Sequence, residues 1–533
     1  MSESNPRDTL PRTPADPADA RWLDARDDVA TALVAIARGT PVALACGDAR
    51  REVVLREDIA AGHKFALASL ARGAPIHKYG ELIGHLTAAV EPGDWVHEHN
   101  LATSAHGPSG GDAAQRAERA RDAALHRDQA RSAHHATTEA TARTHRTAAS
   151  ARSPDHFLGY PRPDGRVGVR NHVLVLSPTG LTSAAATRVA SLVRGTLAVT
   201  SGFGRGQVSA DADLHFRTLA GLALNPNVAA VVVMSAADDI SQSYADAVAA
   251  SGKPVVALSL PGVHEDALAL VDRGVRAAAR LVADASSLRR ARADLGQLCV
   301  AVECGHSDAS SGILCNPLAG RMMELVAAAG GQAMFSETVE WTGAEHLLAQ
   351  RAVDAGVAAH IVAAVAAREA RVRESGGDIR AQNPGPQNKA GGLTTIEEKA
   401  LGAIAKGGRQ PIRGVLAAAE RPRGPGLFLM DTPFFSPESM TAMVAGGAQL
   451  VVFTTGAGNS YCSAIAPTMK ISANPATLLH LTEQIDFDAA GDDREARAHD
   501  GLARLCDIAS GSLTYGEIVG EGGEVVSRVA SSI

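Results

Sequence analysis

Apolar and polar positions change texture several times along the chain. From about Val29 to Asn100, short apolar runs are separated by Gly and Pro turns. PVALACG, REVVLRE, HKFALASL, APIHKYGELIGHLTAAV and DWVHEHN read as strands of a small β domain. From Phe157 the runs HVLVLS (172–177), LAVTS, VAAVVVMS (228–235) and PVVALSL (254–260) alternate with helical stretches, one opened by Thr182 and Ser183 and one near Ala210. Apolar strands separated by helices imply parallel crossovers and a sheet covered on both faces. LCVAVEC (298–304) starts a third region. A helix is expected from Pro317 to about Ala329 with Asn316 as its N-cap, followed by the strands GQAMFSE, GLFLMDTP (426–433), LVVFTTG (450–456) and TMKISANP (468–475).

The expected fold class is α/β: a small N-terminal β domain, then two domains with mainly parallel sheets. Residues 1–27, rich in Pro, Asp and Arg, read as a disordered tail, and 28–102 as the β domain. Residues 103–154 form a polar Ala/Arg/His linker in which His134, His135 and His145 read as solvated side chains. Residues 155–290 and 291–533 are the two α/β domains.

At 533 residues the chain is too long for one core at about 150 residues per domain. A net charge of −7 argues against a general nucleic-acid binder. No apolar run reaches the roughly 18 residues that suggest a membrane span. The first residues lack an apolar signal core, so a cytoplasmic location is expected. The six cysteines form no CxxC pair and read as reduced thiols.

Three polar, Gly-containing loops stand where ligands bind in open α/β sheets: Cys304–Pro317, Gly456–Pro467 and Asn383–Gly392. Together they point to an anionic, hydroxylated ligand. ECGHSDASSG brings Cys304, His306 and Asp308, all metal-ligand types, within a few residues, although its spacing matches no zinc signature. The alternative is that Asp308 and Ser310 cap a turn and Cys304 is core. In WVHEHN, His97 and His99 at i and i+2 would share one face of a strand, with His63 nearby. They are either metal ligands or the polar rim of an exposed strand.

The segment GHKFALASLARGAPIHKYGELIGHLTAAVEPGDWVHEHN resembles the small SAF-type (β-clip) domain of the altronate and galactarate dehydratases. GYPRPDGRVGVRNHVLVLSP is similar to the start of their second domain, and CGHSDASSGILCNP, NPGPQNKAGGLTTIEEKALGAIAKGG and FTTGAGNS…APTMKISANP to three motifs of their C-terminal domain. The resemblance implies a hydro-lyase acting on a hexonate or hexarate to give a 2-keto-3-deoxy sugar acid. It also implies a divalent metal, typically Fe2+, with Mn2+ or Mg2+ as alternatives. A branch of the family eliminates sulfite from sulfolactate, and a non-catalytic sugar-acid-binding relative is a third reading.

The chain departs from the family pattern in several loops. Thr179-Gly180 stands at an expected Cys, Arg205 in SGFGRGQ at another, and Ser235-Ala236-Ala237 at a Gly-Cys-Glu turn. His306 replaces a Gly, and Cys315 an Ala.

Dehydrating a hydroxy acid requires a base for the α-proton, an acid for the leaving hydroxyl, and cationic or N–H donors for the substrate. His63, His97, His99 and Lys389 are the catalytic candidates, with Lys389 the expected base if burial beside other cations lowers its pKa. His63, His97, His99, Cys304, His306 and Asp308 are the metal candidates. Arg170, Asn171, Asn388, Thr454, Thr455 and Lys470 are expected to bind substrate oxygens, and Lys78 and Tyr79 to line the entrance. The partner is a small sugar acid, without nucleic acid or membrane, and the chain is compatible with a homo-oligomer.

Overall fold

The computed structural model describes residues 19–103, 154–491 and 493–528. The expected linker and its histidines lie outside these, apart from Thr103 and Pro154 at its ends.

The first domain consists of short antiparallel strands. One sheet runs Ala20–Arg21, Val29–Ala32, Lys64–Ala66, Trp95–Val96. A hairpin pairs Pro41–Cys46 with Ala49–Val54, and Pro75–Lys78, Glu81–Leu86 and Leu101–Ala102 form a third layer. Residues 19–27 are not a tail: Ala20 pairs with Ala32, and Trp22 is buried with Phe65 and Trp95 in this domain's own core. Composition missed this because one tryptophan docks an otherwise polar stretch.

The second domain is a parallel sheet in the order Thr196–Thr200, His172–Ser177, Val228–Ser235, Val255–Ser259. Every residue of Val228–Ser235 is buried, as expected of a β-branched run covered by helices on both faces. The third domain is a seven-stranded parallel sheet. Its order is Ile412–Leu416, Gly426–Met430, Gln332–Phe335, Cys299–Gly305, Leu450–Thr455, Thr468–Ser472, Phe487–Asp488. Ala291–Asp294 pairs with His156–Pro161, so the start of each α/β domain is stitched to the other.

Two apolar clusters weld the domains together. One joins Val29, Ile76 and Ile83 of the first domain to Val300, Phe335 and Ile404 of the third. The other joins Leu174, Val231 and Tyr244 of the second to Met334, Met443 and Val451 of the third. At about 1.5–3 kcal/mol per buried large apolar side chain, such clusters hold the domains in fixed register. Among the described residues, no helix is long and apolar enough to cross a membrane.

Candidate active site

The first domain meets the third where two backbones nearly touch. Gly62 and Gly392 both have positive φ, and a Cβ on Gly392 would fall 2.1 Å from the Gly62 carbonyl oxygen. Only glycine permits this approach, which explains the GHK and AGG sequences on the two sides. The next residue, His63, accepts a hydrogen bond at Nδ1 from Trp95 Nε1 (3.1 Å). Its Nε2 therefore carries the proton it donates to the Ala390 carbonyl (3.2 Å). His97 lies with its ring centroid 4.9 Å from that of His63, and its Nδ1 is 3.1 Å from Thr394 Oγ1. Lys389 pairs with Glu98 at 2.5 Å. The histidine-bearing turns and the NKAGG loop thus share one seam.

The CGHSD loop closes the same seam. Asp308 Oδ1 accepts from Ser310 Oγ (2.6 Å) and Ser311 N (3.0 Å), and Oδ2 accepts from Asn474 Nδ2 (2.7 Å). A Cβ at Gly456 would overlap this carboxylate, so TTG must end in glycine. Asn388 donates to the Ser307 carbonyl (2.7 Å), tying NKAGG to CGHSD.

WVHEHN is not a strand throughout. The strand stops at Val96, and Asn100 Oδ1 accepts from His97 N (2.9 Å) to fold the rest into a turn. His97 is buried and His99 exposed, so they do not share a face. Both nevertheless pack on Trp95, with ring centroids 5.3 and 5.0 Å away.

Behind the seam lies a buried charge triad that the sequence did not disclose. Glu398 Oε2 accepts from Lys64 Nζ and Oε1 from Lys78 Nζ, both at 2.8 Å, and all three side chains are buried. Burial alone would raise the Glu398 carboxyl, but the two ammonium groups outweigh it and hold the group at about 2. Burial, with Lys78 repulsion, lowers Lys64 to about 8, whereas for Lys78 burial is outweighed by Glu398, Tyr79 and Asp27 together, and its pKa is raised. One carboxylate between two ammoniums stabilises them unequally, and Lys64 bears the surplus. Lys64 Nζ also donates to Thr394 Oγ1 (2.7 Å), and the second lone pair of that oxygen can accept from His97 Nδ1, which makes Nε2 the basic nitrogen of the ring. The triad therefore orients His97.

The six metal candidates do not converge. Both nitrogens of His63 are engaged, and His306 Nδ1 donates to the Gly458 carbonyl (2.7 Å). Cys304 points into the third domain, where its Sγ lies 3.0 Å from Glu340 Oε2 and 3.5 Å from Glu337 Oε2. Among the described residues, Cys304, Glu337 and Glu340 do form a donor set within 4.8 Å. However, Lys406 Nζ sits 3.0 Å from Cys304 Sγ, bonds Glu337, and lies 3.8 Å from Glu340. An ammonium already fills the cation position. The Cys304 cluster thus does not fit the implied metal.

Several expected substrate binders are structural instead. Arg170 clamps Glu517 (2.6 Å) and the Ile508 and Ser512 carbonyls at the amino end of the second sheet. Asn171 bridges Arg162 and the Ala285 carbonyl. Thr454 Oγ1 donates to Asn316 Oδ1 (2.6 Å), and Thr455 Oγ1 accepts from Gly458 N. Asn316 belongs to the helix Asn316–Ala328 rather than capping it, because its amide also donates to the Gly402 carbonyl. Lys470 is buried against the Ser460 carbonyl and Glu521. Lys78 and the Tyr79 hydroxyl are buried and line no entrance. Lys389 is partly exposed and paired with Glu98, not buried among cations as its role as base required.

Three departures from the family pattern do converge. Thr179-Gly180, Arg205 and Ala236-Ala237 line one cavity of about 580 Å³ at the carboxyl ends of the second sheet. Arg205 is tied there to Asp239 (2.7 Å).

The chain matches three family models in order. These are the altronate/galactarate dehydratase SAF domain over residues 21–104, the D-galactarate dehydratase/altronate hydrolase second domain over 159–286, and the D-galactarate/altronate dehydratase C-terminal domain over 295–531. It is 40% identical over 385 residues to (2R)-sulfolactate sulfo-lyase subunit beta of Chromohalobacter salexigens, covering 70% of this chain and 98% of that protein. It is 30% identical over 483 residues to altronate dehydratase of Escherichia coli (strain K12), covering 88% and 89%. Galactarate dehydratase (L-threo-forming) of the same organism is 26% identical over 470 residues, covering 82% of each. With all three domains matched in order, the chain belongs to the altronate/galactarate dehydratase family of lyases.

Proposed function

We propose that the chain eliminates a β-substituent from a 2-hydroxy carboxylate in the seam between the SAF domain and the third domain. The first reading is dehydration of a hexonate or hexarate to a 2-keto-3-deoxy sugar acid. The observation that carries it is the meeting of His63 and His97 with the NKAGG and CGHSD loops. His97, fixed through Thr394, removes the α-proton. Lys389, partly exposed and paired with Glu98, holds the substrate carboxylate. Loss of hydroxide from the β-carbon gives an enol, which ketonises to the 2-keto product.

Relatives named as dehydratases, matched over 82–88% of this chain, support this reading. A second reading, elimination of sulfite from a sulfolactate-like acid, is favoured by the 40% identity to a sulfo-lyase subunit. An anaerobic assay of 2-keto product over aldonates, aldarates and 3-sulfolactate decides between them. His97→Ala is expected to lower kcat at least about 100-fold with an unchanged melting temperature. Unchanged turnover in that variant would remove the SAF domain from the chemistry.

A further inference from the structure

A second cavity, of about 560 Å³, lies between the second and third domains and outside the seam. It opens at the amino ends of both sheets. Leu224 and Ser251, on its second-domain wall, precede the strands Val228–Ser235 and Val255–Ser259. Ala445, on the opposite wall, precedes Leu450–Thr455. The Asp308 loop follows the carboxyl end of Cys299–Gly305, at the other end of the third sheet.

The charge in this cavity is unbalanced. Arg166, Arg217 and Arg421 line it from three separate segments, against the single carboxylate of Asp164. Arg166 takes that carboxylate at 2.6 Å and also donates to the Leu224 carbonyl. Arg217 is fixed by the Ala418 carbonyl (2.9 Å). Arg421 forms no hydrogen bond or ion pair with the described residues, and burial and Arg166 repulsion lower its pKa. Behind the wall, burial first and then Arg166, Arg162 and Arg421 drive Lys253 well down, which reports the positive field at this end of the domain. Three guanidiniums thus face one carboxylate in a chain whose net charge is −7. Like charges held together in a concavity mark a site for an opposite charge.

The rest of the lining is apolar. Ala220, Leu224, Ala445 and the half-exposed Phe216 form the floor. The two helices beneath it touch at Gly221, where a Cβ would lie 2.4 Å from the Ala445 carbonyl oxygen. A planar carboxylate matches one guanidinium fork. Three guanidiniums arriving from different directions suit a tetrahedral dianion, whose oxygens point to all sides.

We propose that this cavity binds a small organic phosphate, its dianionic head between Arg166, Arg217 and Arg421 and its apolar body on the alanine-lined floor. Because the walls belong to two domains, the ligand stabilises their packing from the end opposite the reaction. The inference does not depend on which acid the seam turns over.

Calorimetric titration of the full chain at low salt tests it, with AMP, adenosine and citrate as probes. AMP should bind at least about ten-fold more tightly than adenosine or citrate and raise the melting temperature. Arg421→Ala, at a residue with no structural partner, should weaken AMP at least about ten-fold and leave phosphate-free turnover unchanged. Arg217→Lys, which keeps the charge, should lose less. Citrate binding as tightly as AMP, adenosine matching AMP, or Arg421→Ala binding AMP like the parent chain would each overturn the proposal.

Discussion

Two charge centres are buried at the back of this molecule's candidate site, and they are built with opposite surpluses. At the SAF seam, Glu398 stands alone between Lys64 and Lys78. Inside the third domain, Glu303, Glu337, Glu340 and the Cys304 thiol face only Lys399 and Lys406. The first centre must stay fully ionised to hold together. The second sheds charge by keeping protons: burial, with neighbouring carboxylates, raises Glu303 and Cys304 and lifts Glu337 to about 7. Only Glu340 is held low, because Lys399 and Lys406 outweigh its burial. A buried lysine can thus join two domains, as Lys64 and Lys78 do, or stand in the middle of a donor set, as Lys406 does, and its partners decide which.

Removing the lone carboxylate should have the largest effect. Glu398→Ala strands two buried ammoniums and should destabilise the chain by about 3–5 kcal/mol in denaturant melts. It should also abolish turnover, because Thr394 and His97 lose their support. Glu398→Gln, which still accepts hydrogen bonds, should lose less.

The pH dependence sharpens the contrast, since the two centres should respond with opposite signs. Glu398 is depressed from 4.5 to about 2, so it contributes stability above pH 4.5 that is lost as pH falls toward 2. Across that window the loss is on the order of 3 kcal/mol. Glu337 is raised from 4.5 to about 7, so the folded chain holds a proton that the unfolded chain has released. Stability should therefore fall as pH rises from 4.5 through 7, and Glu337→Gln should flatten that slope. A Glu337→Gln chain that keeps the parent slope would contradict the reading of the second centre.

The smallest effect concerns a cation that belongs to neither centre. Arg170→Lys gives up the two-pronged grip on Glu517 and should cost about 1–2 kcal/mol. Its kcat/KM should stay at the parent value. A fall in kcat/KM without loss of stability would return Arg170 to the substrate.

Much of the architecture was legible because strands such as VAAVVVMS and LCVAVEC are apolar throughout, which only a covered parallel sheet explains. The convergence of HKFAL, VHEHN and NKAGG was legible through resemblance. Local pattern failed where long-range contacts decide. The i, i+2 spacing of His97 and His99 suggested a strand, but the Asn100 side chain bends the segment into a turn. Lys64 and Glu398, 334 residues apart, each sit in a motif with no local sign that the charge is buried. Arg170 read as a ligand residue because its loop is polar, yet its partners come from the far C-terminal segment. ECGHSD is not one ligand cluster, because its residues part: Cys304 turns inward to Glu337 and Glu340, whereas His306 bonds the Gly458 carbonyl and Asp308 bonds Asn474.

Hydrogen–deuterium exchange on the full chain, with and without a saturating acid that it turns over, tests the placement of the chemistry most directly. Protection is expected at residues 61–66, 95–100 and 386–394 together, on both sides of the seam. Protection confined to 179–183 and 201–207, around the cavity of the second domain, would contradict it.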